Sequence, residues 1–449
     1  MAGNNTYSQL SADVEAFIAD ETLPLAQKDL VAYQFADPLT LPKGRGLTYT
    51  ATRYNRLPLP FAPLSEGVGP AQGESLTIQQ VSATAQQWGD KVVITDVAEM
   101  TIKHPLFKKA TELVAIQMAE TLERNTFVAL NALTQINYVN SRGSRAALQA
   151  GDTLDITTVT RTVAALRTLG AIRYNGDERP DMKRDVESGG ARASENPRTM
   201  PHYAAILHPL VVADMRAIST ISTAWSYSDI NRLYNYELGE WSGMRFCESN
   251  MVPTWTGVAA ITGTAGTSGS LATGTYYVQV TASDTQNQYE SRVYQVSTGI
   301  SVTGPNGSIS VTLPSLTGFT FSVYIGTTTS PTNLALSASG PTSGPYAGQA
   351  TQLAGGQTVV LTATGAAQTP PAAPATGVTV YPTYVLGKGA YGQVVLDDAK
   401  FTYLTAADKS DPLNQLRVIG WKTFYGTLIQ NNQFAARIES SSAFSSSFG

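Results

Sequence analysis

The sequence predicts a mixed α+β protein interrupted by an all-β sandwich, and three observations carry that expectation. Residues 256–380 hold only three charged side chains, Asp284, Glu290 and Arg292, and are rich in Gly, Ser, Thr and Ala, whereas the flanks are charged at ordinary density. Residues 44–96 alternate like a long two-stranded arm with little to build a core of its own. From Leu106 to about Ile136 there is no Gly or Pro, and apolar residues recur at helical spacing. A host domain is thus interrupted by a guest, and function has to be read from each.

The totals bound the possibilities. A length of 449 residues suggests about three domains on a prior of ~150 residues each. Apolar content of 42% is enough for a large core. The net charge of -4 excludes a basic nucleic-acid reader, which would show a strongly basic face. One cysteine, Cys247, leaves no internal disulfide and reads as a small buried hydrophobe. The N-terminus lacks a basic start followed by an apolar run, so no secretory signal is expected. No stretch approaches the ~20 apolar residues of a membrane span.

In chain order, Ser11 is a candidate helix cap, and Val14, Phe17 and Ile18 repeat at helix spacing. The apolar pattern continues through Leu23, Leu25, Leu30 and Val31 toward Phe35, and Pro38 and Pro42 end it. In the arm, Leu47, Tyr49 and Ala51 alternate with threonines; after Gly67, Gly69 and Gly73, residues 76–84 alternate again, and 92–95 form a short apolar strand. An isolated two-stranded arm is marginal in water, so it is expected to lie on another subunit. Pro105 suits the first position of the following helix. Its stripe is Phe107, Ala110, Leu113, Val114, Gln117, Met118, Leu122, Phe127, Leu130 and Leu133. The predicted length, on the order of 45 Å, exceeds the usual globular helix and fits either a bundle helix or a spine across a flat subunit. Asp155 is expected to cap a second helix with Val159, Val163, Leu166 and Leu169 on one face and Gly170 at its end. Residues 175–198 read as an exposed loop, 203–207 as a strand leading to a helix near Pro209, and aromatic residues concentrate over 225–241.

The guest reads as strands at 276–281, 293–296, 309–313, 319–325 and 359–362, separated by turn signals at Gly299, Pro305-Asn306-Gly307, Gly318 and Gly355-Gly356. Short strands with regular turns and no helix pattern predict a β-sandwich. Thr275 to Ala282 and Phe321 to Gly326 resemble immunoglobulin-like and fibronectin-type modules of phage surface proteins. Such a module serves glycan binding, attachment, shell decoration or no more than an inert polar surface; fold does not choose among them.

No chemistry emerges from the polar residues. His104, His202 and His208 with the lone Cys247 give no zinc spacing. Asp397-Asp398 are adjacent, and neighbours on a strand face opposite ways. The run from Gly387 to Gly392 formally matches a dinucleotide fingerprint, yet residues 393–396 read as a strand where that motif needs a helix N-terminus. There is no nucleophile elbow or P-loop, so no catalytic residue, cofactor or metal is expected, and the chain is not expected to be an enzyme.

Short pieces of the flanks carry a resemblance. Arg53, Arg56 and Leu57 lead into Pro63-Leu64-Ser65-Glu66-Gly67; Gly89-Asp90 precede Ile94-Thr95-Asp96, with Trp88 where a tyrosine is commoner; Gly239-Glu240, Gly243-Met244-Arg245-Phe246 and Glu248-Ser249 follow. Beyond the guest come Tyr381-Pro382, the glycines of 387–392, Ser410-Asp411-Pro412-Leu413, Gly420-Trp421-Lys422 and Arg437-Ile438-Glu439. In order and spacing these are similar to the major capsid proteins of tailed phages of the coliphage N-four type, over nearly all of 1–255 and 381–449. The resemblance implies the α+β Hong Kong 97-type capsid fold with an inserted immunoglobulin-like sandwich. It divides the chain into an N-terminal arm (1–43), an extended loop (44–103), a peripheral domain with spine helix and the first part of the axial domain (104–255), the insertion (256–380), and a return segment completing the core (381–449). The insertion replaces a short stretch of the family pattern, so the family does not give its place on a shell.

The resemblance further implies a structural protein of the virion, assembled in the host bacterial cytoplasm into an icosahedral shell around double-stranded DNA. The expected partners are copies of itself in hexamers and pentamers, a portal, a scaffolding protein, a decoration protein, DNA held without specificity, and host-surface glycans through the insertion; no membrane is expected. Arg45, Arg53, Arg56 and Glu66 on the arm are the candidate intersubunit contacts. Exposed ion pairs contribute only ~0–1 kcal/mol each, so apolar burial along the arm should dominate, and deleting 50–90 is expected to leave folded subunits that form no shell. Removing 256–380 is expected to preserve assembly. The alternative is a surface adhesin or glycan-binding protein, which would form only small oligomers.

Overall fold

The computed structural model describes residues 30–59, 74–101, 106–174, 201–220, 236–286, 288–404 and 415–445. The helical pattern read over 11–29, Pro63 to Gly67 with Glu66, Pro105, the 175–198 loop, most of the aromatic cluster and Ser410 to Leu413 lie outside them. The described residues divide into two compact units, the smaller within 87–119 and 398–423, the larger from the remainder.

In the smaller unit the first half of the Leu106–Leu130 helix packs Ala110 and Val114 against Ile94, Ile419 and Trp421, with Trp88, Phe107 and Met118 at the margin. Leu113, placed by periodicity in the same stripe, is exposed. Gly89 sits where a Cβ would come 2.6 Å from the Trp421 carbonyl oxygen, so glycine is what lets the two backbones meet. The Trp421 indole donates to Gln117 (3.2 Å), whose amide donates on to Asp90 (2.7 Å).

The helix has 25 residues, about 37 Å at 1.5 Å per residue, and stops six positions short of the Ile136 expected from the sequence. The physical reason is a distant partner. Ile136–Tyr138 runs parallel to Arg437, Ile438 and Glu439 of the strand Ala435–Ser440, and that ladder overrides the local helix pattern. Asp155 caps Ile156–Thr168 as expected, its Oδ1 accepting from the Thr158 amide at 2.9 Å. Val159, Val163 and Leu166 are buried, whereas Leu169 is the exposed C-cap.

The larger unit is organised around one long mixed sheet. Tyr203–Leu207, buried throughout, lies between Met244–Glu248 (parallel) and Thr379–Leu386 (antiparallel). Thr379–Leu386 also pairs with Ala435–Ser440. Pro209–Ala217 follows with His208 as its N-cap. Phe127 and Leu130, on the second half of the long helix, pack against Ile206, Tyr384 and Leu386. The stripe at this end is broken by Glu123, which is almost fully buried. Its carboxylate accepts the amides of Val31 (2.7 Å), Ala32 (2.6 Å) and Tyr33 (3.1 Å) at the start of the 3-10 helix Ala32–Phe35. Burial pushes its pKa up, and the three amides pull it back. A helix end otherwise short of acceptors is thus capped by a side chain about ninety positions away.

The charge-poor stretch folds as two sheets around a common core. Gly263–Leu271, Gly307–Thr312 and Thr358–Leu361 form one. Ala363–Ala367, Asn333–Leu336, Phe319–Gly326, Gly274–Asp284 and Glu290–Tyr294 run in that order in the other. Tyr276, Val278, Val280 and Ala282 alternate inward toward Ile309, Val311, Val359 and Leu361. The strand expected at 293–296 instead occupies Glu290–Tyr294. This second sheet does not stop at the border of the charge-poor stretch. Trp255–Val258 pairs parallel with Arg292, Val293 and Tyr294 on one side and antiparallel with Thr379 and Val380 on the other, making one continuous fourteen-stranded sheet.

Two arginines, a glutamate and a tryptophan meet where that stretch begins and ends. Arg145 forms a two-pronged pair with the buried Glu439 (2.8 and 2.5 Å), and Arg437 Nε lies 2.9 Å from the same carboxylate. The Arg145 guanidinium also stacks over Trp255, 3.8 Å from the ring centre, and donates to the Ala372 carbonyl at 3.1 Å.

Candidate assembly surface

Thr48–Tyr54 and Ile78–Thr84 pair antiparallel in register from Thr48 opposite Thr84 to Tyr54 opposite Ile78, as the alternating sequence predicts. One face carries Thr48, Thr50, Thr52, Ser82 and Thr84 and is exposed. The other carries Tyr49, Ala51, Val81 and Ala83, and these pack on Leu39, Leu41, Val394, Leu396 and Leu428 of the same chain. The arm is therefore not wholly without support. Its base rests on its own subunit, where Asp37–Thr40 runs parallel to residues 392–395.

Toward the tip the supporting face ends. Arg53 opposes Gln79, and its guanidinium donates to the Gln79 side-chain oxygen within the same hairpin. Beyond them Tyr54, Leu57, Leu76 and Ile78 are all at least half exposed, and Leu59 is 89% exposed. Apolar side chains in this number on one narrow projection mark a contact surface. Arg45 lies in the exposed turn at the base and Arg56 at the tip, and among the described residues neither forms an ion pair within the chain. Glu66 lies outside the described residues. Among the described residues, Arg45 thus lies at the base of the arm and Arg53 and Arg56 further out, beside the exposed apolar residues of 54–59 and 76–78. Leu57 and Leu59 fall among prolines where strand alternation lapses, whereas Leu76 opens the second alternating run.

A shallow cleft, about 350 Å³, opens at the arm's base between Leu47, Leu396 and Phe424, with Lys43 and Asp397 paired at 3.0 Å on its rim. That ion pair accounts for Asp397 as a surface partner.

His104 lies outside the described residues, and His202, His208 and Cys247 are packed within the subunit. No group of three or more metal-ligating side chains occurs among the described residues. His202 is buried beside Tyr174, and burial pushes the Cys247 thiol up. The glycines of the dinucleotide-like run serve close packing. A Cβ on Gly387 would come 2.7 Å from the Ile172 carbonyl, one on Gly392 would strike Leu39 and Gln430, and Gly389 has φ +75°. The loop amides of Gly387 and Lys388 donate to Phe434 and Ile172, and the strand Tyr391–Leu404 follows directly. No helix N-terminus is presented to a phosphate.

His208 caps its helix by accepting the Leu210 amide at 3.2 Å and lies 4.9 Å from the Tyr381 ring centre. Burial lowers its pKa to about 4, below the ordinary 6.5, so the unfolded chain takes up the proton first as pH falls. The resulting stability is present above pH ~6.5 and is lost between there and about 4, amounting to on the order of 3 kcal/mol. Glu123 and Asp214, whose pKa values burial raises, act in the opposite direction. The variant His208→Asn keeps a capping side chain without the titration. Its urea-unfolding free energy should therefore fall less than the parent's between pH 7 and 4.5; parallel losses would remove His208 as the cause.

No protein-family model matches the sequence, and no curated protein matches it. Solved structures do. The capsid of Ralstonia phage GP4 superposes with a TM-score of 0.50 at 8% identity, covering 98% of this chain and 98% of that one. The cyanophage Pam1 capsid asymmetric unit gives 0.52 at 10% identity, covering 99% and 100%. At such identities the likeness is one of fold. The chain has the α+β, Hong Kong 97-type fold of phage capsid subunits.

Proposed function

We propose that this chain is the major capsid protein of a tailed phage, of the coliphage N-four type, building an icosahedral shell around double-stranded DNA. The observation that carries the reading is the end-to-end match to two capsid subunits, 98–99% of this chain. A match confined to one domain would leave the remainder to do something else. The arm, bare at its tip and seated at its base, supports it: a subunit that offers an apolar projection has a use for a neighbour. Copies of itself are the principal partners, in rings that close as hexamers and pentamers. A portal and a scaffolding protein would complete assembly, and DNA would be held loosely by an acidic wall. The sandwich in 256–380, immunoglobulin-like in this reading, projects outward for decoration or attachment to host glycans. Purified protein, alone and co-expressed with a scaffolding protein, is examined by negative-stain microscopy. Uniform hollow particles are expected. Small oligomers that bind sugars would replace this reading with the adhesin.

A further inference from the structure

We propose that the 256–380 insertion is also a brace, an internal strut that ties the second half of the long helix to the central sheet. An appended module hangs from a linker, and a proline-rich exit such as 370–374 has the composition of one. The contacts here are of another kind. The first tie is backbone: the strand Trp255–Val258, with which the insertion begins, lies between Arg292, Val293 and Tyr294 on one side and, on the other, the strand Thr379–Leu386, which runs on to pair with Tyr203–Leu207 of the host. The second is a loop. Tyr289 leaves the insertion and is buried in the cluster that holds Phe127, Leu130 and Tyr384. Beside it, Arg124 on the helix donates to the Gln288 carbonyl at 2.8 Å, with its guanidinium 5.8 Å from the Tyr289 ring centre. Gln288 adopts φ +53°, a left-handed conformation that a non-glycine residue holds only when its surroundings require it.

The third tie is the exit itself. The prolines are held from both sides: Gln279 and Gln295, inside the insertion, donate to the carbonyls of Pro371 and Pro374, and Arg145, in the host, donates to the Ala372 carbonyl. A Cβ on Gly257 would come 2.2 Å from the Ala375 carbonyl, so the outgoing chain presses directly on the incoming strand. The incoming and outgoing chains meet by backbone hydrogen bonds, from the Gly257 amide to Val378 (2.9 Å) and from the Gly377 amide to Gly257 (2.8 Å). Groups packed in this way open together, because no one of them can leave without exposing the others.

On this proposal removing 256–380, expected from the sequence to preserve assembly, instead destabilises the host, since that cut takes away Tyr289, the Gln288 carbonyl bound by Arg124 and the Ala372 carbonyl bound by Arg145. The test is native-state hydrogen exchange on the full-length chain over a urea series. Amides of residues 122–130, on the helix, and of 276–284, in the insertion, should share one opening with one denaturant slope. In Arg124→Met/Tyr289→Leu, exchange at 122–130 should rise about tenfold or more while 308–312 inside the insertion stay protected. If the insertion opens as a separate unit in the parent, or if the double variant leaves 122–130 unchanged, the brace is wrong. A third variant joins Val258 to Gly377 through Asn-Gly; an unchanged melting temperature there would also overturn it. The readout is taken on dispersed subunits and stands whether or not shells form.

Discussion

A subunit in which residues 55–77 are replaced by an Asn-Gly turn between Tyr54 and Ile78 folds and forms no shells. A two-residue turn is the shortest connection compatible with the pairing of those strands, and the cut removes Leu57, Leu59 and Leu76 while sparing every residue on which the arm's base rests. Burying one leucine fully is worth about 1.5–3 kcal/mol, and Leu57, Leu59 and Leu76 are 50%, 89% and 67% exposed, so losing them removes roughly 3–6 kcal/mol from each arm contact. That is about two decades or more in each association constant, repeated at every subunit. Sedimentation and negative-stain microscopy read the assembly, and circular dichroism reads the fold. Normal shells from this variant would refute the arm's role. The wider deletion of 50–90 would not be informative, because it also removes Ala85, Gly89 and Asp90, which the structure uses inside the subunit. By contrast, neutralising Arg45, Arg53 and Arg56 together should cost only ~0–1 kcal/mol per residue and appear mainly as altered salt dependence of assembly.

Replacing Glu439 by Ala destabilises the subunit by about 3–5 kcal/mol. The carboxylate is fully buried between Arg145 and Arg437, both nearly so. Its removal leaves two guanidinium groups facing each other in the core without their counter-charge. The loss should spread to Trp255 and Ala372, which Arg145 holds. Urea unfolding of dispersed subunits measures it. The triple variant Arg145→Met/Arg437→Met/Glu439→Met removes the stranded charges as well and should recover part of the loss. Were the single variant as stable as the parent, the cluster would contribute nothing net.

Local pattern was informative wherever local pattern decides structure. The two alternating strands of the arm, the Asp155 cap, the strand at Tyr203–Leu207 and most strands of the charge-poor stretch follow from alternation, capping chemistry and turn residues close in sequence. The misses share one cause, a partner far along the chain. The long helix ends early because Arg437 and its neighbours pair with Ile136–Tyr138. Glu123 sits on the buried face because it caps residues near 32. The glycines of 387–392 copy a nucleotide signature because the carbonyls of Ile172, Phe434 and Asp37 and the Leu39 side chain come close there, and a close backbone approach requires the same absence of a side chain as a bound phosphate does. For the candidate surface, charge was legible in the sequence and bareness was not. An exposed leucine and a buried one are the same letter until the face they rest on is known.

The sequence alone determined that an α+β chain is interrupted by a charge-poor all-β stretch, and that an arm and a long helix belong to the flanks, because composition and periodicity are properties of neighbouring residues. Only the tertiary structure decided that the arm is seated at its base and bare at its tip, and that the charge-poor stretch shares one sheet with its host. Both depend on which distant strands hydrogen-bond to one another, and long-range pairing has no period for a sequence to display.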